Sequence, residues 1–318
     1  MHTKVITYSR LARHWWGMLS GRSYWHRAQG PGPCFRPGEV AGYFNDLSHK
    51  VHWTGPTDPN GVPLVRTMRD ELVYFPTTVL QKALGHWDAW LQGRQVTHRR
   101  AFMTLADWTL AHQDARGGWD VWHVLGLQYA SPYSAMAQGE GVSVLCRAFV
   151  LTGDSAFLDA ADRAVALMLE PVTQQGTGRY TKLGLVLDET PREDANIILN
   201  GWIFALMGLY DRTLVNENGS PREHLSSTVN ALVASLPTYD SGYWSYYDSA
   251  GSLASPFYHQ LHIAQLRVLA LAFPQHAAAF GNAAGQFEQQ ARSSVNTARA
   301  VARKAAQKVL RPPQVVLR

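Results

Sequence analysis

The sequence predicts a mainly α-helical fold, an incomplete α/α toroid of helical hairpins preceded by a small β-containing segment. From Pro76 onwards, apolar residues recur at helical spacing in successive stretches. Short breakers such as residues 93–94, 116–118 and 152–154 separate these stretches. Helices joined by such short connections pack as antiparallel pairs, and several pairs in series favour a toroid.

Residues 1–72 are the first predicted unit, which is rich in Gly, Pro, Asn and aromatic residues. Within it, GYFND (42–46) and KVHW (50–53) are predicted as short strands, and TDPNG (57–61) as a turn. The unit is therefore expected to contribute β-hairpins and loops.

The second unit, residues 73–286, is predicted to hold the helices 76–92, 99–114, 133–152, 155–170, 196–212, 224–236, 258–273 and 275–291. Helix caps are expected at Ser134 and at Asp154-Ser155. Two connections, 171–195 and 237–257, are long. Long loops inside a compact helical domain commonly carry functional residues, so these two are the first places to search for a site.

The third unit is a basic tail, residues 287–318, predicted as a helix that ends near Leu310. Its apolar stripe runs through Phe287, Ala291, Val295 and Ala298 and consists mostly of alanine. Such a weak stripe is compatible with a helix that faces solvent or docks on a partner. It is also compatible with a helix that lies on a membrane surface.

Charge is divided unevenly along the 318 residues, whose formal net charge is +5. Residues 1–69 carry nine basic and three acidic side chains, and the tail carries seven basic side chains and one acidic side chain. The central residues are acidic. Because a nucleic-acid-binding domain should carry its basic surface on the folded core, the pattern argues against that class.

The composition, with 46% hydrophobic and 17% charged residues, is that of a globular protein. It gives little indication of a membrane span or of a disulfide framework. The uncharged run 195–210 is shorter than the roughly 20 residues of a membrane span, so no transmembrane segment is predicted. Cys34 and Cys146 are expected to be free thiols. The N-terminus has no leader pattern, which makes a cytoplasmic location the default expectation.

Five phrases are the most informative part of the sequence: YSAMAQGEGVSVLCRAFVLTGD (133–154), LDETP (187–191), IILNGWIFALMGLYD (197–211), YWSYYD (243–248) and YHQLHIAQL (258–266). In this order and spacing they resemble the C-terminal domain of the D-glucuronyl C5-epimerases, over residues 75–273. YWHRAQG (24–30) and GYFNDLSHK (42–50) are also similar to the shorter bacterial members.

The resemblance implies a β-rich N-terminal part packed on an α/α barrel, in a protein expected to be a homodimer. It implies inversion at C5 of D-glucuronate within an anionic, heparosan-like polysaccharide, which gives L-iduronate. It implies neither a dissociable cofactor nor a metal.

The resemblance also assigns candidate site residues. Glu189 matches the catalytic glutamate of the family, and Tyr247 and Tyr258 match catalytic tyrosines. Asn200 and His259 match polar residues that line the same cleft and bind substrate.

Two positions depart from the family pattern. Thr190 stands where the family has an active-site tyrosine, and Ala250 stands where vertebrate members have an arginine. Arg192, close to the lost tyrosine, is a candidate for a contact with a substrate carboxylate.

The chemistry itself requires groups of these kinds. The C5 proton of a glucuronate lies next to a carboxylate, so its removal needs a base on one ring face and a proton donor on the other. A carboxylate and a phenol meet that need if burial moves their pKa values, about 4.3 and about 10 in model peptides, towards each other. Glu189 and Tyr258 are the candidates for these two roles.

Other interpretations stay open at this stage. Glu189 can be an ordinary loop charge, Tyr258 a packed tyrosine, and Asn200 a residue with a core hydrogen bond. His259 and His262 can be two metal ligands or a hydrogen-bonded pair. A lyase on the same glycan and a glycan-binding protein without activity are the alternative functions.

The acidic centre disfavours attraction of a polyanion. The basic first unit would compensate if it lined the cleft. We therefore hypothesise that its basic residues hold the glycan, namely Arg22, Arg27, Lys50, Arg66 and Arg69.

Overall fold

The computed structural model describes residues 24–67, 69–216 and 221–310. In that part of the chain the α-helices, numbered in order, are α1 (Pro76–Gly93), α2 (Val96–Ala111), α3 (Ala135–Thr152), α4 (Ser155–Leu169), α5 (Leu199–Val215), α6 (Arg222–Ser235), α7 (Pro256–Ala272), α8 (Ala277–Arg292) and α9 (Ser294–Leu310). The prediction of a mainly α-helical fold is confirmed. Arg22 and the expected helix break at 217–220 lie outside the described residues.

The helices pack as four successive hairpins, α1 with α2, α3 with α4, α5 with α6, and α7 with α8. The first helices of these hairpins also contact one another in sequence, from α1 through α3 and α5 to α7. They form an inner layer, and the second helices lie outside it. This is the arrangement of an α/α toroid, and it leaves the N-terminal ends of the inner helices to surround a common interior.

The central contact of the inner layer is between α3 and α5, which approach each other at two glycines. A Cβ atom on Gly139 would lie 2.5 Å from the Cα of Ala205, and one on Gly208 would lie 2.4 Å from the Cα of Gly139. Only glycine permits this approach of two backbones. Helix α5 is consequently buried along nearly its whole length. In the part that the structure describes, no helix is long and apolar enough to cross a membrane.

Two antiparallel pairs of strands accompany the helices. Strands β1 (Val65–Arg66) and β2 (Leu72–Val73) pair in the N-terminal unit. Strands β3 (Gly178–Thr181) and β4 (Gly184–Leu187) form a hairpin within the long connection between α4 and α5. The second hairpin matters for the site because it ends at Leu187, two residues before Glu189.

The N-terminal unit differs in detail from its prediction. Residues 57–61 do form a turn, in which the Asp58 carboxylate accepts hydrogen bonds from the backbone N–H of Asn60 and Val62 at 2.9 and 2.8 Å. The predicted strand at 50–53 is wrong, because Ser48–Val51 is a 3₁₀ turn closed by the Lys50 N–H on the Leu47 carbonyl at 2.8 Å. Residues 42–46 contribute one isolated bridge, between Asn45 and Pro31.

The tail also differs from its prediction. Helix α8 continues to Arg292, past the expected start of the tail at residue 287, and α9 begins separately at Ser294. Because the two helices are separate, the residues of α9 that face the protein interior are not those that one continuous helix would present. The expected stripe is therefore wrong at Val295 and Ala298, which are exposed, and Ala300 is the buried residue.

Helix α9 docks on the connection between α6 and α7. Ala300 packs there with Tyr243, Trp244, Leu253 and Ala254. The Arg299 guanidinium lies 3.9 Å from the centroid of the Tyr243 ring, and the Lys304 ammonium lies 5.5 Å from that of Tyr247. Part of the basic tail is thus a component of the folded domain.

Candidate active site

A cavity of about 160 Å³ occupies the interior that the inner helices surround. Residues from α1, α3, α5 and α7 line it, together with the N-terminal unit and the loop after β4. Its polar lining includes Lys50, Gln81, Ser134, Glu189, Asn200 and Tyr258. Three of the residues named from the sequence, Glu189, Asn200 and Tyr258, are therefore brought together.

Glu189 reaches the cavity because the residue before it is anchored. The Asp188 carboxylate accepts hydrogen bonds from the Arg179 guanidinium at 2.7 Å and from the Thr190 N–H at 2.9 Å. The Asp188 backbone also bonds to Thr177 and to Ala135 at the start of α3. With Asp188 fixed at the end of the β3–β4 hairpin, the next side chain is directed into the interior.

The Glu189 carboxyl group packs directly against Gly201 in the first turn of α5. A Cβ atom on Gly201 would lie 2.7 Å from both the Cβ and the carboxyl carbon of Glu189, and closer still to Oε2. Oε2 is shielded from solvent and has no hydrogen-bond partner among the described residues. Burial, and secondarily the charge of Asp188, raises the pKa of Glu189 to about 8.

We expect Gly201→Ala to displace the Glu189 carboxyl group. The added methyl group occupies its position, so the carboxyl group moves towards water and its pKa falls from about 8 towards its ordinary value of 4.5. NMR titration of the glutamate carboxyl carbons measures the change. Gly281→Ala on α8 is the control, since a Cβ there meets nothing within 4 Å. An unshifted Glu189 titration in the Gly201 variant would contradict this packing.

Tyr258 and Tyr247 form an aromatic pair beside the glutamate. Tyr258 lies in the first turn of α7, where Ser255 Oγ caps the helix at 3.4 Å from the Tyr258 N–H. The ring centroids of the two tyrosines are 4.7 Å apart. Tyr247 itself contacts Tyr258 and does not belong to the described lining of the cavity.

The electrostatics of the two phenols are linked to Glu189. Burial and the negative charge of Glu189 raise the pKa of Tyr258, and hydrogen bonding from Tyr247 opposes that rise. Burial and the charge of Tyr258 raise the pKa of Tyr247. Tyr247 is therefore placed to donate a hydrogen bond to Tyr258, which favours the ionised form of the Tyr258 phenol.

Asn200 lines the cavity from the first turn of α5. Its side-chain Oδ1 is buried and has no hydrogen-bond partner within the described part of the chain. A buried amide oxygen without a partner is costly unless a ligand supplies a donor. Of the two roles left open by the sequence, the structure favours a ligand contact over a core hydrogen bond.

His259 does not reach the cavity, contrary to the substrate-binding role implied by the family. Its Nδ1 lies 2.8 Å from Ser245 Oγ, its Nε2 lies 3.0 Å from the Phe287 carbonyl, and its ring stacks on Trp244. His262 Nδ1 lies 3.0 Å from the same Ser245 hydroxyl. The hydrogen-bonded pair is thus the correct interpretation of these histidines, and it fixes the connection that carries Tyr247 to α7.

Arg66, Arg69 and Arg192 also lie outside the described lining. Arg66 pairs with Asp70 at 3.4 Å, and Arg192 pairs with Asp194 at 3.4 Å with its guanidinium 6.0 Å from the Tyr129 ring. Arg69 is exposed and lies beside Gly126, in the loop that follows the lining residue Trp122. The contacts described for all three are with residues outside that lining.

Two buried charged residues were not assigned to the site from the sequence, one that lines the cavity and one that is bonded to the lining residue Gln81. Lys50 was named only as a holder of the glycan, although it lines the cavity. Glu140 on α3 is fully buried and accepts a hydrogen bond from Gln81 Nε2 at 2.8 Å. It stands within the SAMAQGEG phrase, where a charge among small residues of a helix was the signal that could have found it.

The neighbouring polar residue, Gln138, joins α3 to the elements packed against it. Its Nε2 donates to the carbonyls of Gly117 and Ala164 at 3.1 and 3.2 Å. These bonds join α3 to the loop that contains Gly117 and to α4.

An α/α toroid whose interior cavity holds a carboxyl group beside a pair of half-buried tyrosines is the class that fold and site define. Such a pair can remove and deliver protons. Residues 113–288 match the family described as the D-glucuronyl C5-epimerase C-terminus. Since the match covers more than half of the chain, the protein belongs to this family.

Two relatives are similar over shorter stretches. A D-glucuronyl C5-epimerase of Caenorhabditis elegans is 32% identical over 202 residues, which cover 56% of this chain and 33% of the nematode protein. An uncharacterized protein of Methanocaldococcus jannaschii is 28% identical over 136 residues, 42% of this chain and 44% of the archaeal one. The chain thus spans less than half the length of each relative.

Proposed function

We propose that the protein is a polysaccharide uronate C5-epimerase that converts D-glucuronate to L-iduronate in a heparosan-like glycan. The observation that carries this proposal is the shared cavity of Glu189 and Tyr258, which come from different elements of the toroid. One is a carboxyl group with a pKa of about 8, and the other is a half-buried tyrosine whose phenol has a raised pKa because it is desolvated. The similarity to the nematode D-glucuronyl C5-epimerase supports the same reaction.

The proton balance assigns a role to each group. Ionised Glu189 takes the C5 proton, and the electron pair of the C–H bond moves onto the adjacent carboxyl group of the sugar. Tyr258 then donates its phenolic proton to C5 from the opposite face, and its phenolate remains. The hydrogen bond from Tyr247 stabilises that phenolate, and Asn200 Oδ1 accepts a hydrogen bond from a hydroxyl group of the sugar.

The raised pKa of Glu189 suits this chemistry. A base with a pKa near 8 attracts a carbon-bound proton more strongly than an ordinary carboxylate does, and it is still ionised in a useful fraction of molecules near neutral pH. The departures Thr190 and Ala250 then bear on substrate choice. We propose that Arg66, Arg69 and Arg192 contact neighbouring uronates of the chain rather than the reacting one.

The test is incubation of the protein with heparosan in heavy water, followed by NMR of the uronate C5 position. We expect deuterium at C5 and the appearance of iduronate signals. Unsaturated products that absorb in the ultraviolet would replace this proposal by a lyase. No deuterium on any uronate-containing glycan in a panel would leave only glycan binding without catalysis.

The homodimer and the cytoplasmic location stay predictions. Light scattering on the eluting peak of a size-exclusion column gives the mass directly. We expect twice the chain mass of 35.4 kDa, and a single-chain mass would refute the dimer.

A further inference from the structure

Lys50 is a cationic residue in an enclosed place. It lies in the 3₁₀ turn of the N-terminal unit, is only 1% exposed, and lines the same cavity as Glu189, Asn200 and Tyr258. Of the described residues that line the cavity, Lys50 alone has a cationic side chain. Buried lysines are rare, and one that lines a cavity presents a positive charge to whatever binds there.

Tyr24 contacts both the side chain and the backbone of Lys50. The Lys50 ammonium donates to the Tyr24 carbonyl at 3.1 Å and lies 4.6 Å from the centroid of the Tyr24 ring. The Tyr24 hydroxyl in turn donates to the Lys50 carbonyl at 2.8 Å. This reciprocal contact fixes both the backbone and the side chain, so that the ammonium group is preorganised at the cavity wall.

The surroundings of Lys50 are suited to an incoming anion. Burial lowers the pKa of Lys50 to about 7, and Glu140 acts in the opposite direction. Burial raises the pKa of Glu140, as it does that of Glu189, to about 8. Near neutral pH the two carboxyl groups are thus mostly protonated, and a bound carboxylate would restore and fix the positive charge of the lysine.

We infer that Lys50 binds the carboxylate of the uronate whose C5 carries the reacting proton. This inference rests on the proposed function. When Glu189 removes that proton, negative charge grows on the carboxyl oxygens, and an ammonium group in contact with them stabilises the enolate-like state more than the ground state. Arg66, Arg69 and Arg192 lie outside the described lining, so among the described residues Lys50 provides the positive charge that the reaction needs inside the cavity.

The test compares two ligands and three variants. The ligands are a glucuronate-containing heparosan oligosaccharide and the same oligosaccharide with its carboxyl groups reduced to alcohols. The variants are Lys50→Met, which keeps length and removes charge, Lys50→Arg, which keeps charge, and Lys82→Met. Lys82 is the control because its ammonium bonds to the Gly61 carbonyl outside the cavity.

We expect Lys50→Met to weaken binding of the carboxylate ligand by about 30-fold or more, the usual effect of removing one partner of a buried charge pair. Binding of the reduced ligand stays unchanged, Lys50→Arg retains part of the preference, and Lys82→Met behaves as the parent protein. The unfolding temperature of Lys50→Met is not lowered, because an apolar side chain of similar size replaces a buried charge.

Two results overturn the inference: equal loss of affinity for both ligands, or no loss for the carboxylate ligand. The outcomes also distinguish a failure of the Lys50 carboxylate site from a failure of the proposed function. A parent protein without C5 exchange whose lysine variant still loses carboxylate selectivity would refute the epimerase and retain the carboxylate site. Full exchange and unchanged selectivity in Lys50→Met would refute the carboxylate site alone.

Discussion

Glu189→Gln is expected to lower the rate of C5 deuterium exchange by about 10²–10⁴-fold, the contribution that a positioned acid–base group makes. Glutamine preserves the shape that packs against Gly201, but its neutral amide is far too weak a base to accept the C5 proton. NMR of heparosan in heavy water measures the loss. Exchange at the parental rate would remove Glu189 from the mechanism.

The same variant has a signature in stability that does not depend on activity. The folded-state pKa of Glu189, about 8, lies above its ordinary value of 4.5. The native protein therefore holds this proton in a pH range where the unfolded chain releases it, and the native state loses stability as the pH rises from about 4.5 to about 8. Glutamine has no such proton to lose. The free energy of unfolding of Glu189→Gln should therefore rise relative to that of the parent as the pH increases from about 4.5 to about 8. Above that range the difference between the two proteins should stay constant.

A matched control for Glu189→Gln is available in the same loop. Glu193 is exposed and only four residues further along the chain. Glu193→Gln should leave both the exchange rate and the pH dependence of unfolding unchanged. A stability gain of the same size in both variants would show that the effect is not specific to the buried carboxyl group.

Tyr258→Phe is expected to lower the formation of iduronate by about 10²–10⁴-fold, because the proton donor on the second face is lost. The ring and its contacts with Tyr247 and Phe257 remain. Glu189 can still remove the C5 proton and return a deuteron to the same face. Residual deuterium should therefore be found in glucuronate, and not in iduronate.

This partition between the two sugars is the critical measurement for Tyr258. Tyr246→Phe, on the connection that carries Tyr247, is the control and should form deuterated iduronate at the parental rate. Iduronate formed at the parental rate by Tyr258→Phe would show that another group donates the second proton. Near-ultraviolet circular dichroism of each variant verifies that the aromatic packing is retained.

Much of the fold follows from local sequence signals. Pro76 at the first position of α1, Asp154 as the side-chain cap of α4, and the glycine at 153 that ends α3 set helix boundaries close to those predicted. The phase of α9 could not be predicted in the same way. It depends on the break at Ser293, where no proline or glycine interrupts the helical pattern.

The sequence could predict those site residues whose role follows from their immediate neighbours in the chain. Glu189 and Asn200 are polar residues beside buried segments, and the structure places both at the cavity. His259 and Lys50 show the limit. The partners of His259 lie 14 and 28 residues away, and Lys50 is buried only because its turn packs over the toroid. Neither environment is present in the local sequence.

The contact between Glu189 and Gly201 has a consequence for how related sequences diverge. A chain in which position 201 acquires a side chain can no longer keep the carboxyl group where it is, and once the glutamate is lost, the glycine is no longer constrained. We therefore expect the two positions to vary in a coupled way among homologues. A side chain at the glycine position should mark a homologue that has lost this acid–base site, even where the glutamate is still present in its sequence.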